Sequence, residues 1–313
     1  MKIAAIAFIV LLLLILLAEV ALRVLFGFGD PSLYVADPEI GYLLAPNQKT
    51  RRFGNRIQIN AYSMRADEIS KEPDPASFRV FLLGDSIANG GWWTDQDDII
   101  SEQIEAKLEG DRASSVEVLN TSANSWGPRN ELAYVQKFGT FGSQVVVLLI
   151  NTDDLFATAP TSVQVGIDRN YRDRKPPLAL IELLQLYLLP APEIPGLAEV
   201  KSEGGDRVGK NLNAIADMKT IVTRSNAEFI LAMTPLIREV GEPGSRDYEI
   251  AARQRVDEFV AANDINYIDF LPLFQATKSP EDLFRDNIHL SPKGNELVSD
   301  AIVNRLAKLG FRF

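Results

Sequence analysis

Five short apolar runs limit this chain's folding choices most: Arg79-Leu83, Val116-Leu119, Val145-Ile150, Phe229-Met233 and Tyr267-Phe270. Each is short, almost uniformly apolar and rich in branched or aromatic side chains, which suits a strand buried on both faces. Helical patterns lie between most of them. Ile100, Ile104 and Leu108 recur every four residues, with Gly110 placed to end the helix. Leu212, Ile215, Met218 and Val222 mark a second helix, and Ile250, Ala251, Phe259 and Val260 a third. Leu297, Ala301, Ile302 and Leu306 mark the last, with Ser291 as its cap and Pro292 in its first turn. Buried strands alternating with helices predict an α/β fold: a parallel sheet of about five strands with helices on both faces. In such sheets the reactive residues gather at the carboxyl ends of the strands.

Three segments fall outside this alternation. Ile3 to Ala18 is uncharged and almost wholly aliphatic, and Val20 to Phe28 continues it, broken by Glu19 and Arg23. The clean stretch is shorter than the ~20 residues that span a bilayer, but counting on to Phe28 gives a sufficient length. Small residues suited to a cleavage site are hard to find after it, so residues 1–29 read as an uncleaved transmembrane signal anchor. Lys2 on the short side favours that end staying in the cytoplasm, with the body in the periplasm or outside the cell. Residues 30–76 are rich in Pro, Asn, Gly and Arg, with strand-like pieces at Thr50-Phe53 and Arg56-Asn60. They read as a small irregular or β-rich lead-in packed on the main domain, residues 77–313. Within that domain about 156–208 is too long for an ordinary connection and is expected to be an insertion with one helix, overhanging the catalytic edge.

Composition removes several classes of function. A net charge of −10 disfavours nucleic acid or an anionic membrane surface as the main partner. The absence of cysteine excludes disulfides, thiolate catalysis and Cys-ligated zinc, and one histidine argues against a His-based metal site. No cofactor is expected.

What remains is nucleophilic chemistry on a serine. Gly84-Asp85-Ser86-Ile87 ends the first apolar run, and the single histidine, His289, stands three residues after Asp286. A serine is a poor nucleophile until an imidazole takes its proton and a carboxylate holds that imidazole in place. No Gly-x-Ser-x-Gly elbow surrounds Ser86, so the turn is not that of the usual α/β-hydrolases.

Gly84-Asp85-Ser86 after the first strand, with Asp286-x-x-His289 before a Ser-Pro-Lys-Gly helix start, resembles the SGNH/GDSL hydrolase superfamily over roughly Phe78 to Leu309. The anchor and the segment Asn60-Ala61-Tyr62-Ser63-Met64-Arg65 are similar to membrane-anchored bacterial members. The resemblance implies a three-layer α/β/α fold, ester hydrolysis or acyl transfer without metal, Ser86 as nucleophile, His289 as base and Asp286 as its orienting partner. It also implies an oxyanion hole built from the Ser86 N–H, the N–H of a glycine after the second strand and an asparagine side chain after the third. Ser125 stands at the glycine position, with Gly127 as the alternative register, and Asp153 of Asn151-Thr152-Asp153-Asp154 stands at the asparagine position. An ionised carboxylate would repel an oxyanion. Either Asn151 donates from two residues earlier, or Asp153 is protonated in an enclosed site, or the hole is incomplete.

Trp92 and Trp93 follow the nucleophile closely enough for one to stack on a sugar, with one buried and one exposed as the expectation for adjacent residues. Arg169, Arg172, Arg174 and Lys175 form either a solvated loop or a grip for an anionic polymer. The expected function is a serine esterase acting on O-acyl, chiefly O-acetyl, esters of a cell-envelope or exopolysaccharide carbohydrate at the bacterial inner membrane. The expected partners are that acylated carbohydrate or a small ester, the membrane through the N-terminal helix, and polysaccharide-assembly proteins. Alternatives are an O-acyltransferase using the same triad and a non-catalytic glycan-binding or assembly protein on the same fold.

Overall fold

The computed structural model describes residues 1–109 and 115–311. Gly110, expected to end a helix, lies outside the described residues. A helix α1 (Lys2–Phe26) leads into two hairpins, β1 (Tyr34–Asp37) with β2 (Gly41–Leu44) and β3 (Gln48–Arg52) with β4 (Asn55–Ile59). There follow β5 (Phe78–Gly84), α2 (Ser86–Asn89), α3 (Ile100–Glu109), β6 (Val116–Ser122), α4 (Pro128–Phe138) and β7 (Val145–Asn151). The second half runs α5 (Ala179–Tyr187), α6 (Leu197–Lys201), α7 (Arg207–Arg224), β8 (Glu228–Thr234), α8 (Ile237–Val240), α9 (Asp247–Ala262), β9 (Asn266–Asp269), α10 (Leu271–Gln275) and α11 (Pro292–Lys308).

Strands β5 to β9 form one five-stranded sheet in the order β6-β5-β7-β8-β9, with every neighbouring pair parallel. Every residue of β5 and β7 is buried, which is why both read as unbroken apolar runs. The period of two splits the core cleanly. Phe81, Leu83, Leu148 and Ile150 face one layer with residues of α4, α7 and α9. Val80, Leu82, Val147 and Leu149 face the other with residues of α3 and α11. The α/β/α sandwich is therefore as expected, although α4 and the hairpin β1–β2 were not legible beforehand. The order reverses at β5, between β6 and β7, and that switch point is where a doubly wound sheet opens a crevice at its carboxyl edge.

The lead-in belongs to the core. Tyr34, Ile40, Tyr42, Leu44, Ile57, Ile59 and Met64 are buried in the same layer as Phe81 and Leu83. Arg65 is wholly buried and donates to the carbonyls of Asn89, Gly91 and Thr94 at 2.5, 2.6 and 2.7 Å. Burial lowers its guanidinium to about 10, with the Asp95 and Glu102 carboxylates acting in the opposite direction. The loop after α2 is thus pinned by a residue that precedes β5 in the chain. Between β7 and α7 the chain makes two helices, not the single one expected. The prolines Pro190, Pro192 and Pro195 stop α5, and Gly196 in the left-handed region restarts the chain as α6.

Helix α1 closes on Gly27, whose N–H bonds the Arg23 carbonyl while Phe28 N–H bonds that of Leu22. Gly27 has φ 74°, and a Cβ there would lie 1.8 Å from the Arg51 carbonyl oxygen. No other residue fits where α1 meets β3.

Candidate active site

Ser86 is the first residue of α2, directly after the carboxyl end of β5. Asp85 caps that turn, its Oδ1 accepting the Ile87 N–H at 2.8 Å. His289 comes from the loop before α11, whose cap is Ser291 as expected, its Oγ accepting the Gly294 N–H. The two residues, 203 positions apart in sequence, meet with Ser86 Oγ 2.9 Å from His289 Nε2. Behind the ring, Nδ1 lies 3.0 and 2.9 Å from the two Asp286 carboxylate oxygens. With Nδ1 donating to Asp286, Nε2 is left to accept the serine proton.

Asp286 also accepts the backbone N–H groups of Ile288 and His289 at 3.1 and 2.9 Å. Burial acts to raise its carboxyl, but the bonds from the His289 N–H, the imidazole and Ile288 outweigh it and hold the group below the usual carboxylate range. It stays ionised behind the ring, where an imidazolium would form.

The third strand's block needs correcting. Asn151 is wholly buried, and its Nδ2 protons go to Asp85 Oδ2 at 3.0 Å and Asp154 Oδ2 at 2.8 Å. Both donors are committed, so Asn151 offers none to an oxyanion and instead ties β7 to the residue before the nucleophile. Asp153 is not enclosed either: its side chain is 56% exposed and faces Arg238 at 3.9 Å. It lines a separate recess with Phe156 and Tyr248.

An amide that the sequence did not single out is Asn124: it lies on the cavity wall beside Ser125, and its buried Oδ1 has no hydrogen-bond partner among the described residues. The sequence signal was only that Asn124 precedes the glycine-like position; nothing in spacing says which way a side chain faces. Ser125 has φ 60°, the left-handed conformation that favours glycine, and its Oγ meets the Tyr171 hydroxyl at 3.0 Å.

These features sit in a cavity of about 580 Å³ reached by Ser86, Asn89, Trp92, Trp93, Ser125 and His289. A family model described as GDSL-like lipase/acylhydrolase matches residues 82–297. The chain belongs to this family. It is an ester-hydrolysing enzyme on the α/β fold of that family. No curated protein sequence matches it. Among solved structures, it is similar to the lipase/acylhydrolase from Enterococcus faecalis at 15% identity, covering 74% of this chain and 96% of that one, with a TM-score of 0.47. TesA gives 14% identity, 74% and 99% coverage and 0.48. A catalytic mutant of Axe2, an acetylxylan esterase from Geobacillus stearothermophilus, gives 13% identity, 75% and 95% coverage and 0.48.

In this GDSL-family enzyme the cavity walls come from outside the sheet. Trp92 is exposed and Trp93 half-buried, so neither is the fully buried partner expected of the pair. Trp93 lies against the His289 ring with centroids 4.4 Å apart, and the Arg285 guanidinium stands 4.7 Å from the Trp93 centroid. Gly91 permits this packing: its φ is 50°, and a Cβ would come within 2.4 Å of the Trp93 ring. Arg169, Tyr171, Arg172, Glu182 and Tyr187, from the segment expected to be an insertion, line the same cavity as Ser86. Two of the four clustered basic residues are spent on structure, while Arg172 lines the Ser86 cavity and Arg174 is exposed. Arg169 caps α5 through the carbonyls of Gln185, Leu186 and Leu189, and Lys175 pairs with Asp30 at 2.5 Å.

Proposed function

We propose that this enzyme is a serine esterase in which Ser86 attacks the ester carbonyl, His289 takes the proton and Asp286 orients the imidazole. An acyl-serine forms, the alcohol leaves with the proton from His289, and water activated by the same ring releases the acid. The observation that carries this is the continuous Ser86–His289–Asp286 hydrogen-bond chain at the mouth of a cavity.

For the oxyanion, the backbone N–H groups of Ser86 and Ser125 act with the side-chain NH2 of Asn124, which lies on that wall and donates to nothing among the described residues. The substrate we infer is an O-acyl, chiefly O-acetyl, ester on an envelope carbohydrate, which Trp92 and Trp93 would receive by stacking. Residues 1–29 act as the membrane anchor, 30–76 as the lead-in and 77–313 as the catalytic domain, held on the outer side of the inner membrane. Helix α1, Lys2–Phe26, is long and apolar enough to cross a bilayer, with an 18-residue stretch of mean hydropathy 3.1.

Hydrolysis of p-nitrophenyl acetate by the full-length chain in detergent tests the reading. Ser86→Ala should abolish turnover, and wild type and variant matching at background would reject it. Asn124→Ala should lower kcat by about 10²-fold or more if its amide holds the oxyanion. An unchanged kcat would remove Asn124 from that role.

A further inference from the structure

Leu184, Tyr187, Leu188 and Leu189, around the C-terminal end of α5, are exposed at 43, 62, 72 and 55%. Scattered apolar residues on a surface are ordinary, but four around one helix end form a patch that calls for a partner. Its neighbour identifies that partner. Glu19 of α1 caps the other end of α5, its carboxylate accepting the Ala179 and Leu180 N–H groups at 2.8 and 3.0 Å. Helix α5 therefore lies fixed beside the last turns of the apolar helix. Val20, Val24 and Leu25 of those turns are themselves exposed, and Phe28 just beyond them meets Tyr187 with ring centroids 6.4 Å apart. The apolar surface of α1 continues onto α5.

Length supplies the second argument. Ile3 to Ala18, the uninterrupted apolar stretch, spans about 24 Å at ~1.5 Å per residue. A bilayer's hydrocarbon core is about 30 Å thick, so it reaches past Glu19 to the level at which α5 is docked. From that edge a line of rings runs inward: Phe26 to Phe53 at 5.9 Å, Phe53 to Trp92 at 5.3 Å, Trp92 to Trp93 at 5.9 Å and Trp93 to His289 at 4.4 Å. The inner side of α5 lines the Ser86 cavity through Glu182 and Leu186.

We propose that the outer face of α5 rests in the same bilayer that holds α1, so that the Ser86 cavity opens at the membrane surface and takes esters presented there. The inference rests on reading α1 as a membrane-spanning helix. A chain of net charge −10 gains nothing electrostatically from an anionic surface. The contact is apolar burial, with Trp92 and Tyr187 as the amphipathic rings suited to the interface.

The lack of native cysteine makes single-cysteine spin labelling clean. Labels at Ile9, at Leu188 and at Lys308, which lies at the far end of α11, would be read in the full-length chain in phosphatidylcholine–phosphatidylglycerol vesicles. The expected result is Ile9 deep in lipid, Lys308 in water, and Leu188 oxygen-accessible and shielded from a nickel chelate at headgroup depth. Ile9 in water would overturn the anchor reading and this proposal with it. Ile9 in lipid with Leu188 as aqueous as Lys308 would overturn the proposal alone, as would spin–spin broadening at Leu188, which assigns the face to a second copy. In activity, the double variant Leu184→Asp/Leu188→Asp should raise KM for vesicle-borne p-nitrophenyl palmitate by at least about tenfold. Its kcat/KM on soluble p-nitrophenyl acetate should stay within about twofold, because neither residue touches the reacting atoms. Equal loss on both substrates, or on neither, counts against the proposal. If wild type hydrolyses neither ester, the catalytic reading fails while the labels still report docking.

Discussion

Ser125 occupies a backbone conformation that a side chain disfavours, at φ 60°. An L-residue there costs on the order of 1 kcal/mol, and its role in the proposed hole needs only the backbone N–H. Ser125→Gly should therefore raise stability by up to about 1 kcal/mol and leave kcat within about twofold, checked by chemical denaturation beside the esterase assay. A large loss of kcat would mean that the hydroxyl, through Tyr171, matters to the chemistry. At this scale the sequence was a good guide to residue type and a poor one to direction. Ser86, Asp286 and His289 stood out in a chain with one histidine, and the fold brings the three into hydrogen-bonding contact. Asn151 was misread because a two-residue offset along an extended segment preserves the face without saying what else on that face competes for the amide. Asp85 and Asp154 do compete, and both protons go to them.

At the scale of elements, the strands were legible because a strand buried on both faces has no polar positions to confuse the pattern. Hairpin β1–β2 left no such trace, since Gly41–Leu44 is buried by the insertion and by α4, contacts made across long stretches of chain. The pairing of α3 with β6 carries a pH signature. Glu105 of α3 accepts the Val118 N–H at 2.7 Å, and burial pushes its carboxyl up to about 7. A carboxyl whose pKa rises on folding binds its proton more tightly in the folded state. Its contribution is fully present below the unfolded value near ~4.3 and is lost as pH climbs toward 7. Thermal stability should accordingly fall between about pH 5 and pH 7 in the wild type, and Glu105→Gln should flatten that decline. Melting curves across the range decide it; equal slopes in both proteins would assign the trend to other groups, Asp85 and Asp154 among them.

On the scale of the whole molecule, helix α1 and the rest of the chain are joined by more than a tether. Glu19 bonds Arg23 at 2.7 Å as well as two amides of α5, and Glu182 of α5 in turn pairs with Arg52 of the lead-in. Glu19→Ala removes a cap and should destabilise the chain by about 1–2 kcal/mol, with faster proteolysis inside the insertion as the visible sign. Unchanged cleavage would mean that α5 holds its place without α1. No sequence pattern could have revealed this joint, because it pairs a carboxylate with backbone amides 160 residues away. A broken hydrophobic stretch reads as an imperfect span; in the fold the break is the docking point.

The division of labour around the cavity has an evolutionary consequence. Ser86 and His289, the proposed nucleophile and base, sit at ends of the sheet and its last helix, while most of the wall is supplied by residues 30–57 and 169–187. Those two segments can diverge, lengthen or be exchanged without disturbing the Ser86–His289 contact. Acyl preference in such enzymes is therefore free to drift faster than mechanism, and two relatives with superimposable reactive centres should be expected to differ in diet before they differ in chemistry.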